Sequence, residues 1–264
     1  MPDSTTYTTL HLDLTAPTAI ITLNRPEVLN ALNAQMFDDL EAIFTTLTTD
    51  TSIRVILLTG AENRAFAAGA DIRGLLDTDA ISGLAVSQRG QQVFSQIASC
   101  GKPTIACING VALGGGCELA LACTLRLAAA NARLGLPEAK LGLIPGYGGT
   151  QRLTRLIGRS AALRLMLTAQ ILDAPEALRL GLIDELTHAA NLLPRAQALA
   201  QTIASMAPLA IAGVLEAVAR GHDLALPEAL SIEAHIFGRL CATADKQEGV
   251  TAFLTKRPAT WTGR

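Results

Sequence analysis

The centre of the chain reads Asn109-Gly110-Val111-Ala112-Leu113-Gly114-Gly115-Gly116-Cys117-Glu118-Leu119-Ala120. An apolar run gives way to three glycines, and a second apolar segment begins beside Glu118. A glycine-rich turn that opens a helix leaves backbone N–H groups without partners at the positive end of the helix dipole. Such a helix end can hold a developing oxyanion. The stretch therefore predicts a turn and helix that place an oxyanion site beside a carboxylate.

A second carboxylate follows twenty residues later, in Gly135-Leu136-Pro137-Glu138. Acidic residues are enriched in the first turn of helices, so either glutamate alone is most simply a structural residue. Beside one oxyanion site, however, two carboxylates can share one water and one proton. The pair Glu118 and Glu138 is therefore the candidate catalytic pair.

Other catalytic motifs are incomplete. The glycines at 114–116 and 146–149 do not complete G-x-G-x-x-G, and neither cluster carries the Lys-Ser/Thr of a P-loop. The chain has no G-x-S-x-G, and its four histidines have no metal-ligand spacing. We therefore expect no nucleotide cofactor, no metal and no serine nucleophile.

Composition narrows the class of protein. The 264 residues are 50% hydrophobic and carry a net charge of −2, which suits a large buried core. With 3% aromatic residues and no basic patch, we expect neither nucleic acid nor membrane as the main partner. The five cysteines lack CxxC spacing, and residues 1–6 do not resemble a leader, so we expect a cytoplasmic protein with reduced thiols.

Strand and helix signals alternate over the first two thirds of the chain. Ala19–Asn24 and Ile53–Gly60 are apolar runs typical of buried strands, and a helical stripe of apolar residues runs from Leu29 to Leu47 between them. Pro103–Ala112 continues the alternation. Such alternation predicts a layered α/β fold with crossover connections.

Beyond residue 192 the pattern is helical only, which divides the chain into a core at 1–192 and a helical region at 193–264. Asp245 and Glu248 resemble a capping box at the start of the last helix. These apolar helices are too few to enclose a core of their own. We therefore expect them to pack on a neighbouring subunit.

Four segments form one larger pattern: Phe66-Ala67-Ala68-Gly69-Ala70-Asp71, the central stretch 109–120, Pro137-Glu138, and Leu141-Gly142-Leu143-Ile144-Pro145-Gly146-Tyr147-Gly148-Gly149-Thr150-Gln151-Arg152-Leu153. Together they resemble the enoyl-CoA hydratase/isomerase, or crotonase, family. The resemblance extends from Arg25-Pro26 to the C-terminal stretch 252–257 and so covers nearly the whole chain.

The resemblance implies a fold and a set of site residues. The fold is a spiral of ββα units followed by C-terminal helices that build homotrimers or homohexamers. The oxyanion hole falls on the backbone N–H groups of Ala68 and Gly115, and the catalytic acids fall on Glu118 and Glu138. The substrate-binding positions are Val28, Ala70, Asp71, Ile72, Pro145, Gly146, Phe253 and Lys256, with Phe253 near the adenine and Lys256 near the phosphates of coenzyme A.

The implied substrate is an acyl-CoA thioester, with coenzyme A as part of the substrate and no separate cofactor. Two acids favour hydration of a trans-2-enoyl-CoA, because moving a double bond needs only one base. An enoyl-CoA isomerase and a non-catalytic or RNA-associated member of the family remain as alternatives. Acyl-chain length, and the choice between fatty-acid and phenylacetate breakdown, stay open, because residues 73–99, where the family varies its acyl pocket, are the least patterned.

One position departs from the family pattern. Thr124 stands where many members carry an aspartate after the alanine and cysteine of the same helix. It lies six residues beyond Glu118. We expect it to have a structural role.

Overall fold

The computed structural model describes residues 7–264. The strands of this part of the chain are β1 (Leu10–Thr15), β2 (Thr18–Leu23), β3 (Val55–Gly60), β4 (Ala65–Ala67), β5 (Thr104–Ile108), β6 (Val111–Leu113), β7 (Leu125–Ala129), β8 (Arg133–Gly135), β9 (Leu172–Asp173) and β10 (Glu185–Thr187). The helices are α1 (Ala34–Thr49), α2 (Ala80–Ala98), α3 (Gly115–Ala122), α4 (Gly149–Ile157), α5 (Arg159–Thr168), α6 (Ala174–Arg179), α7 (Leu192–Ala204), α8 (Pro208–Gly221), α9 (Leu226–Cys241) and α10 (Ala244–Leu254).

The strands form two sheets. The larger has the order β1-β2-β3-β5-β7-β10 and is parallel except for β1, while the smaller has the order β4-β6-β8-β9. Each successive pair of strands, β3 with β4, β5 with β6 and β7 with β8, gives one strand to each sheet and leads on to a helix. This repeated ββα unit confirms the predicted spiral.

Two apolar clusters fill the molecule. The first lies between the sheets and helices α1 to α6, and the second lies on the outer face of the larger sheet. In the second cluster Leu192, Ala196, Ala200 and Ala204 of α7 pack against β3, β5 and β7. The division at residue 192 stays a prediction, and the first helix beyond it covers the core sheet.

Two helix starts were predicted wrongly. Leu29 and Asn30 adopt left-handed backbone conformations, with φ of 54° and 57°, so α1 begins only after Asn33, whose side chain accepts a hydrogen bond from the Met36 N–H. At α10 the capping residue is Thr243, not Asp245. The segment 103–112, which continues the alternation in the sequence, contains β5 and most of β6, separated by Asn109 and Gly110.

Asp245 and Glu248 have other roles. The buried Asp245 carboxylate accepts hydrogen bonds from the N–H groups of Thr262 and Gly263, at 2.7 and 2.9 Å. Glu248 forms an ion pair with Arg257. Both acids therefore fasten the C-terminal tail to α10, which a local capping pattern cannot reveal.

The structure tests only part of what we expected about a leader segment and about membrane-spanning helices. Residues 1–6, where no leader was expected, lie outside the described residues. Within 7–264 no single helix has the length and apolar composition needed to cross a membrane. Residues 189–204 and 208–221 reach that length and composition only jointly, as a pair bent by 102°.

Asn109 ties the two sheets together at the start of the central stretch. Its Oδ1 accepts a hydrogen bond from the Gly60 N–H at 3.1 Å, and its Nδ2 donates to the carbonyls of Gly60, Glu62 and Ala65. The residue is buried. One amide side chain therefore satisfies backbone groups at the end of β3 and in the following turn, and fixes where β4 begins.

We expect Asn109→Ala to lower the free energy of unfolding by about 3 kcal/mol, because it leaves several buried backbone groups without a partner. The matched control is Asn191→Ala, since Asn191 is exposed and its side chain makes no cap bond to α7. That control should change stability by less than about 0.5 kcal/mol. Urea unfolding at one protein concentration measures both, and equal stability of the two variants would contradict the role of Asn109.

Candidate active site

The three glycines bring the start of α3 against β4. Gly114 has φ of +49° and caps the helix, a conformation that glycine adopts without steric cost. A Cβ atom on Gly116 would lie 2.0 Å from the carbonyl oxygen of Ala67, so only glycine allows this approach. The contact places Gly115, the first residue of α3, near Ala68, which directly follows β4.

The two predicted oxyanion donors differ in their bonding. The N–H of Gly115 belongs to the first turn of α3, where the helix itself offers no acceptor. The N–H of Ala68 donates to the carbonyl of Leu29 at 3.0 Å. Both residues line the same cavity. Among the described residues the Gly115 N–H is therefore free to meet an anion, whereas the Ala68 N–H is taken by the Leu29 carbonyl.

Glu118 is almost entirely buried, with 1% exposure. Its Oε1 accepts two backbone hydrogen bonds, from Tyr147 at 2.8 Å and from Gly149 at 2.7 Å. Burial raises the pKa of this carboxyl to about 7, and the charge of Glu138 adds to the rise. The two N–H donors and the guanidinium of Arg152 act in the opposite direction.

Glu138 begins a short 3-10 turn after Pro137. Its Oε1 approaches Gly114, and its Oε2 is buried without a hydrogen-bond partner among residues 7–264. Burial raises the pKa of this carboxyl as well. A buried oxygen without a partner is energetically costly, and such groups concentrate at functional sites.

The two carboxylates open on one cavity of about 790 Å³. The structure brings eight of the predicted site residues together in its wall: Ala68, Ala70, Ile72, Gly115, Glu118, Glu138, Pro145 and Gly146. Most of the remaining wall is apolar and comes from α2, from the turn 72–75 and from residues 141–149. Convergent acids in an apolar cavity are typical of a site for acid–base chemistry on an organic substrate.

Val28 and Asp71 lie outside the cavity wall, in segments that are joined to it. Leu32 pairs with Gly69 and Asp71 through backbone hydrogen bonds of 2.8 Å each. Arg25 strengthens the junction, because its guanidinium contacts the carboxylate of Asp71 at 3.3 Å. The family resemblance places Asp71 among the substrate-binding positions, and the structure gives it an ion pair with Arg25.

Phe253 and Lys256 lie at the end of α10 and do not line the cavity of this chain. Phe253 is 83% exposed. Lys256 follows the last helical turn with φ of 54°. Such high exposure of a large aromatic side chain is typical of a surface that binds another molecule.

Sequence reasoning gave no role to the residues that hold the loop 145–149. The Gly146 carbonyl accepts hydrogen bonds from Ser87 Oγ at 2.6 Å and Gln91 Nε2 at 2.9 Å. Arg152 donates to the Tyr147 carbonyl at 2.9 Å. Ser87 and Gln91 lie more than fifty residues from the loop in sequence, so no local pattern could indicate these contacts.

Thr124 has the structural surroundings expected of it. Its Oγ1 accepts a hydrogen bond from the Thr104 N–H at 3.1 Å, and its own N–H donates to Thr104 Oγ1 at 2.9 Å. The reciprocal pair joins the end of α3 to the start of β5. It lies apart from the residues of the cavity wall.

Comparison with known proteins gives one consistent family. Residues 14–264 match the family model described as enoyl-CoA hydratase/isomerase. The chain is 41% identical to the short-chain-enoyl-CoA hydratase of Clostridium acetobutylicum, covering 90% of this chain and 92% of that protein. It is 40% identical to the crotonyl-CoA hydratase of Syntrophomonas wolfei, covering 96% and 97%.

A solved structure agrees with both sequence relatives. The crystal structure of an enoyl-CoA hydratase from Bacillus anthracis superimposes with a TM-score of 0.94 at 36% identity. The match covers 97% of this chain and all of the other. The fold and the order of its elements are therefore those of a known group of enzymes.

The raised pKa of Glu118 predicts a pH-dependent loss of stability. The folded chain holds this proton up to about pH 7, against about 4.5 for an ordinary glutamate, so stability falls as pH rises through that interval. Glu118→Gln keeps an acceptor for Tyr147 and Gly149 and removes the titration. We expect this variant to have a higher Tm than the unmodified protein at about pH 8 and a similar Tm at about pH 4.5.

The matched control is Glu228→Gln, because Glu228 is exposed. Its Tm difference from the unmodified protein should be the same at both pH values. Calorimetric scans measure the four differences. A Tm difference for Glu118→Gln that does not change with pH would show that Glu118 titrates normally.

Proposed function

The chain belongs to the enoyl-CoA hydratase/isomerase family, and we propose that it is an enoyl-CoA hydratase. It adds water across the 2,3 double bond of a trans-2-enoyl-CoA and gives a 3-hydroxyacyl-CoA. The observation that carries this proposal is the meeting of Glu118 and Glu138 in one apolar cavity beside the start of α3. The proposed chemistry uses groups of the chain itself and no separate cofactor.

In the proposed reaction the thioester oxygen binds the N–H of Gly115 and, in exchange for the Leu29 carbonyl, the N–H of Ala68. As water adds to Cβ, the π electrons of the double bond move toward the thioester, and its oxygen takes on enolate charge. Donors aimed at such an oxygen stabilise the transition state by about 3 kcal/mol each. The apolar wall of the cavity strengthens this effect by excluding water.

The two carboxyl groups are proposed to carry out separate proton transfers. The oxygen of water forms the bond to Cβ, one of its protons passes to a carboxylate, and a carboxyl group returns a proton to Cα. Glu118, held by two backbone donors, suits the task of orienting the water. Glu138, whose Oε2 has no partner among residues 7–264, suits the task of protonating Cα.

The coenzyme A portion is proposed to lie along two segments joined at Arg25 and along the loop at Pro145 and Gly146. The joined segments are the turn ending at Val28 and residues 70–72, with Asp71 in its ion pair to Arg25. Phe253 and Lys256 are proposed to contact the adenine and the phosphates in the site of a neighbouring subunit. The exposure of Phe253 at the end of α10 supports this assignment.

Helices α8 and α9 support assembly into a homotrimer or homohexamer. They pack against each other, and each buries only one residue, Gly213 and Ile236. The apolar side chains left in solvent include Val218 at 63% and Phe237 at 69% exposure. An apolar groove of about 660 Å³ runs between α8, α9 and α10. Such surfaces are normally covered by another subunit.

A cytoplasmic location is part of the proposal. All five cysteines are free thiols, and four of them are buried. Burial raises the pKa of Cys117 and Cys123 to about 12, which keeps both as unreactive thiols. A chain with five unpaired cysteines suits a reducing compartment.

The decisive test is hydration of crotonyl-CoA to 3-hydroxybutyryl-CoA by the purified chain. We expect Glu118→Gln and Glu138→Gln each to lower kcat by at least about a hundredfold, because an amide keeps the shape but cannot exchange the proton. Glu228→Gln, on the surface of α9, should leave kcat unchanged. Circular dichroism establishes that all three variants are folded.

Three outcomes would contradict the proposal. Near-full hydration by either active-site variant would exclude the two-carboxylate mechanism. An unmodified chain that converts a 3-enoyl-CoA to the 2-enoyl-CoA without hydrating crotonyl-CoA would be an isomerase. A folded chain active in neither assay would be a non-catalytic member of the family.

For assembly, light scattering should give a closed oligomer of three or six chains, and removal of residues 209–264 should abolish both assembly and activity. We expect Val218→Glu to dissociate the oligomer, because it places a charge in the apolar surface of α8. Gln201→Glu adds the same charge on the exposed side of α7 and should leave the mass unchanged. An active monomer at micromolar concentration would exclude the proposed assembly and the role of Phe253 and Lys256 in a neighbour's site.

A further inference from the structure

The ring of Tyr147 forms part of the cavity wall but is packed like a core residue. It is only 7% exposed and touches the cavity along this narrow surface. Phe37 and Phe94 meet it edge-on, with ring centroids 5.2 and 5.8 Å away. Three aromatic rings in such contact form a rigid cluster.

The ring reaches from α2 to the start of α3. A Cβ atom on Gly90 of α2 would lie 2.1 Å from Tyr147 Cδ1, so no space is left on that side. On the opposite edge, Cε2 lies 3.1 Å from the position of a Cβ on Gly115. The ring therefore fills the space between the helix and the proposed oxyanion donor.

The backbone of Tyr147 holds the ring in this place. Its N–H donates to Glu118 Oε1 at 2.8 Å, and its carbonyl accepts from Arg152 at 2.9 Å. Withdrawing the ring by moving the backbone would break the hydrogen bond that orients a catalytic carboxylate. The wall can therefore yield to a larger ligand only at the expense of the catalytic arrangement.

We propose that the Tyr147 ring ends the acyl pocket and makes this chain selective for short 2-enoyl groups. The inference rests on the proposed function, because that function places the thioester oxygen on the Gly115 N–H. The acyl carbons then start beside the ring edge, and a chain that lengthens in this direction meets the packed cluster of Tyr147, Phe37, Phe94 and Gly90. The phenolic hydroxyl of Tyr147 has no role in this selectivity, because the ring itself blocks the pocket.

The test compares short and longer acyl chains in the full-length protein. Tyr147→Ala should raise kcat/KM for trans-2-octenoyl-CoA relative to crotonyl-CoA by about tenfold or more, because each methylene admitted to an apolar pocket gains binding free energy. The ratio of Kd values for octanoyl-CoA and butyryl-CoA should shift in the same direction. This second measurement requires no turnover. Tyr147→Leu serves the same purpose if the alanine variant does not fold.

Two control variants distinguish removal of the cavity wall from a general loss of core packing. Phe94→Leu damages the same aromatic cluster, but Phe94 does not line the cavity, so this variant should lose thermal stability and keep the chain-length ratio. Tyr147→Phe retains the ring and should retain the preference for short chains.

Unchanged ratios in both Tyr147→Ala and Tyr147→Leu, or an equal shift in Phe94→Leu, would overturn the inference. Failure of the unmodified chain to hydrate any enoyl-CoA would contradict the proposed function instead. In that case the Kd ratios still decide whether Tyr147 limits the pocket.

Discussion

The close approach of α3 to β4 is the contact on which the site depends. Gly116 lies so near the Ala67 carbonyl that a single added carbon would collide with it. The approach sets the free N–H of Gly115 near Ala68 and directs Glu118, one turn further along α3, into the same cavity. Asn109 fixes the turn between β3 and β4, because its side chain forms hydrogen bonds with backbone groups on both sides of that turn. The arrangement is therefore built from backbone geometry, with side chains added to it.

Backbone contacts also hold the second half of the site. Glu118 is oriented by two N–H groups from the loop 145–149, and the loop is held in turn by Arg152, Ser87 and Gln91. The contacts of Glu118, Ser87 and Gln91 join segments that are distant in sequence, whereas Arg152 holds the loop from the adjoining helix α4. The orientation of this buried carboxylate therefore depends on several parts of the fold, and its burial raises its pKa toward the range useful for proton transfer.

Much of this arrangement could be predicted from local sequence, and the remainder could not for physical reasons. The glycine run with Glu118 indicates a helix start with an acid in its first turn. Glycine adopts the backbone conformation of such a turn, and a negative charge is favourable at the start of a helix. The late start of α1 depends on the left-handed residues Leu29 and Asn30, and leucine has no local preference for that conformation. The roles of Ser87 and Asp245 arise from partners distant in sequence. Local propensity therefore predicts elements, whereas tertiary contacts determine boundaries and supporting residues.

The hydrogen bond from the Ala68 N–H to the Leu29 carbonyl has a consequence for how the proposed site distinguishes states of its substrate. A thioester oxygen is a weaker acceptor than an amide carbonyl, so a ground-state substrate gains little by displacing Leu29. An enolate oxygen is a stronger acceptor than either, because it carries charge. In the proposed reaction, exchange of partners at Ala68 therefore becomes favourable only as negative charge develops. The proposed role of the intramolecular bond is to weaken binding of the ground-state substrate and to reserve the donor for the transition state.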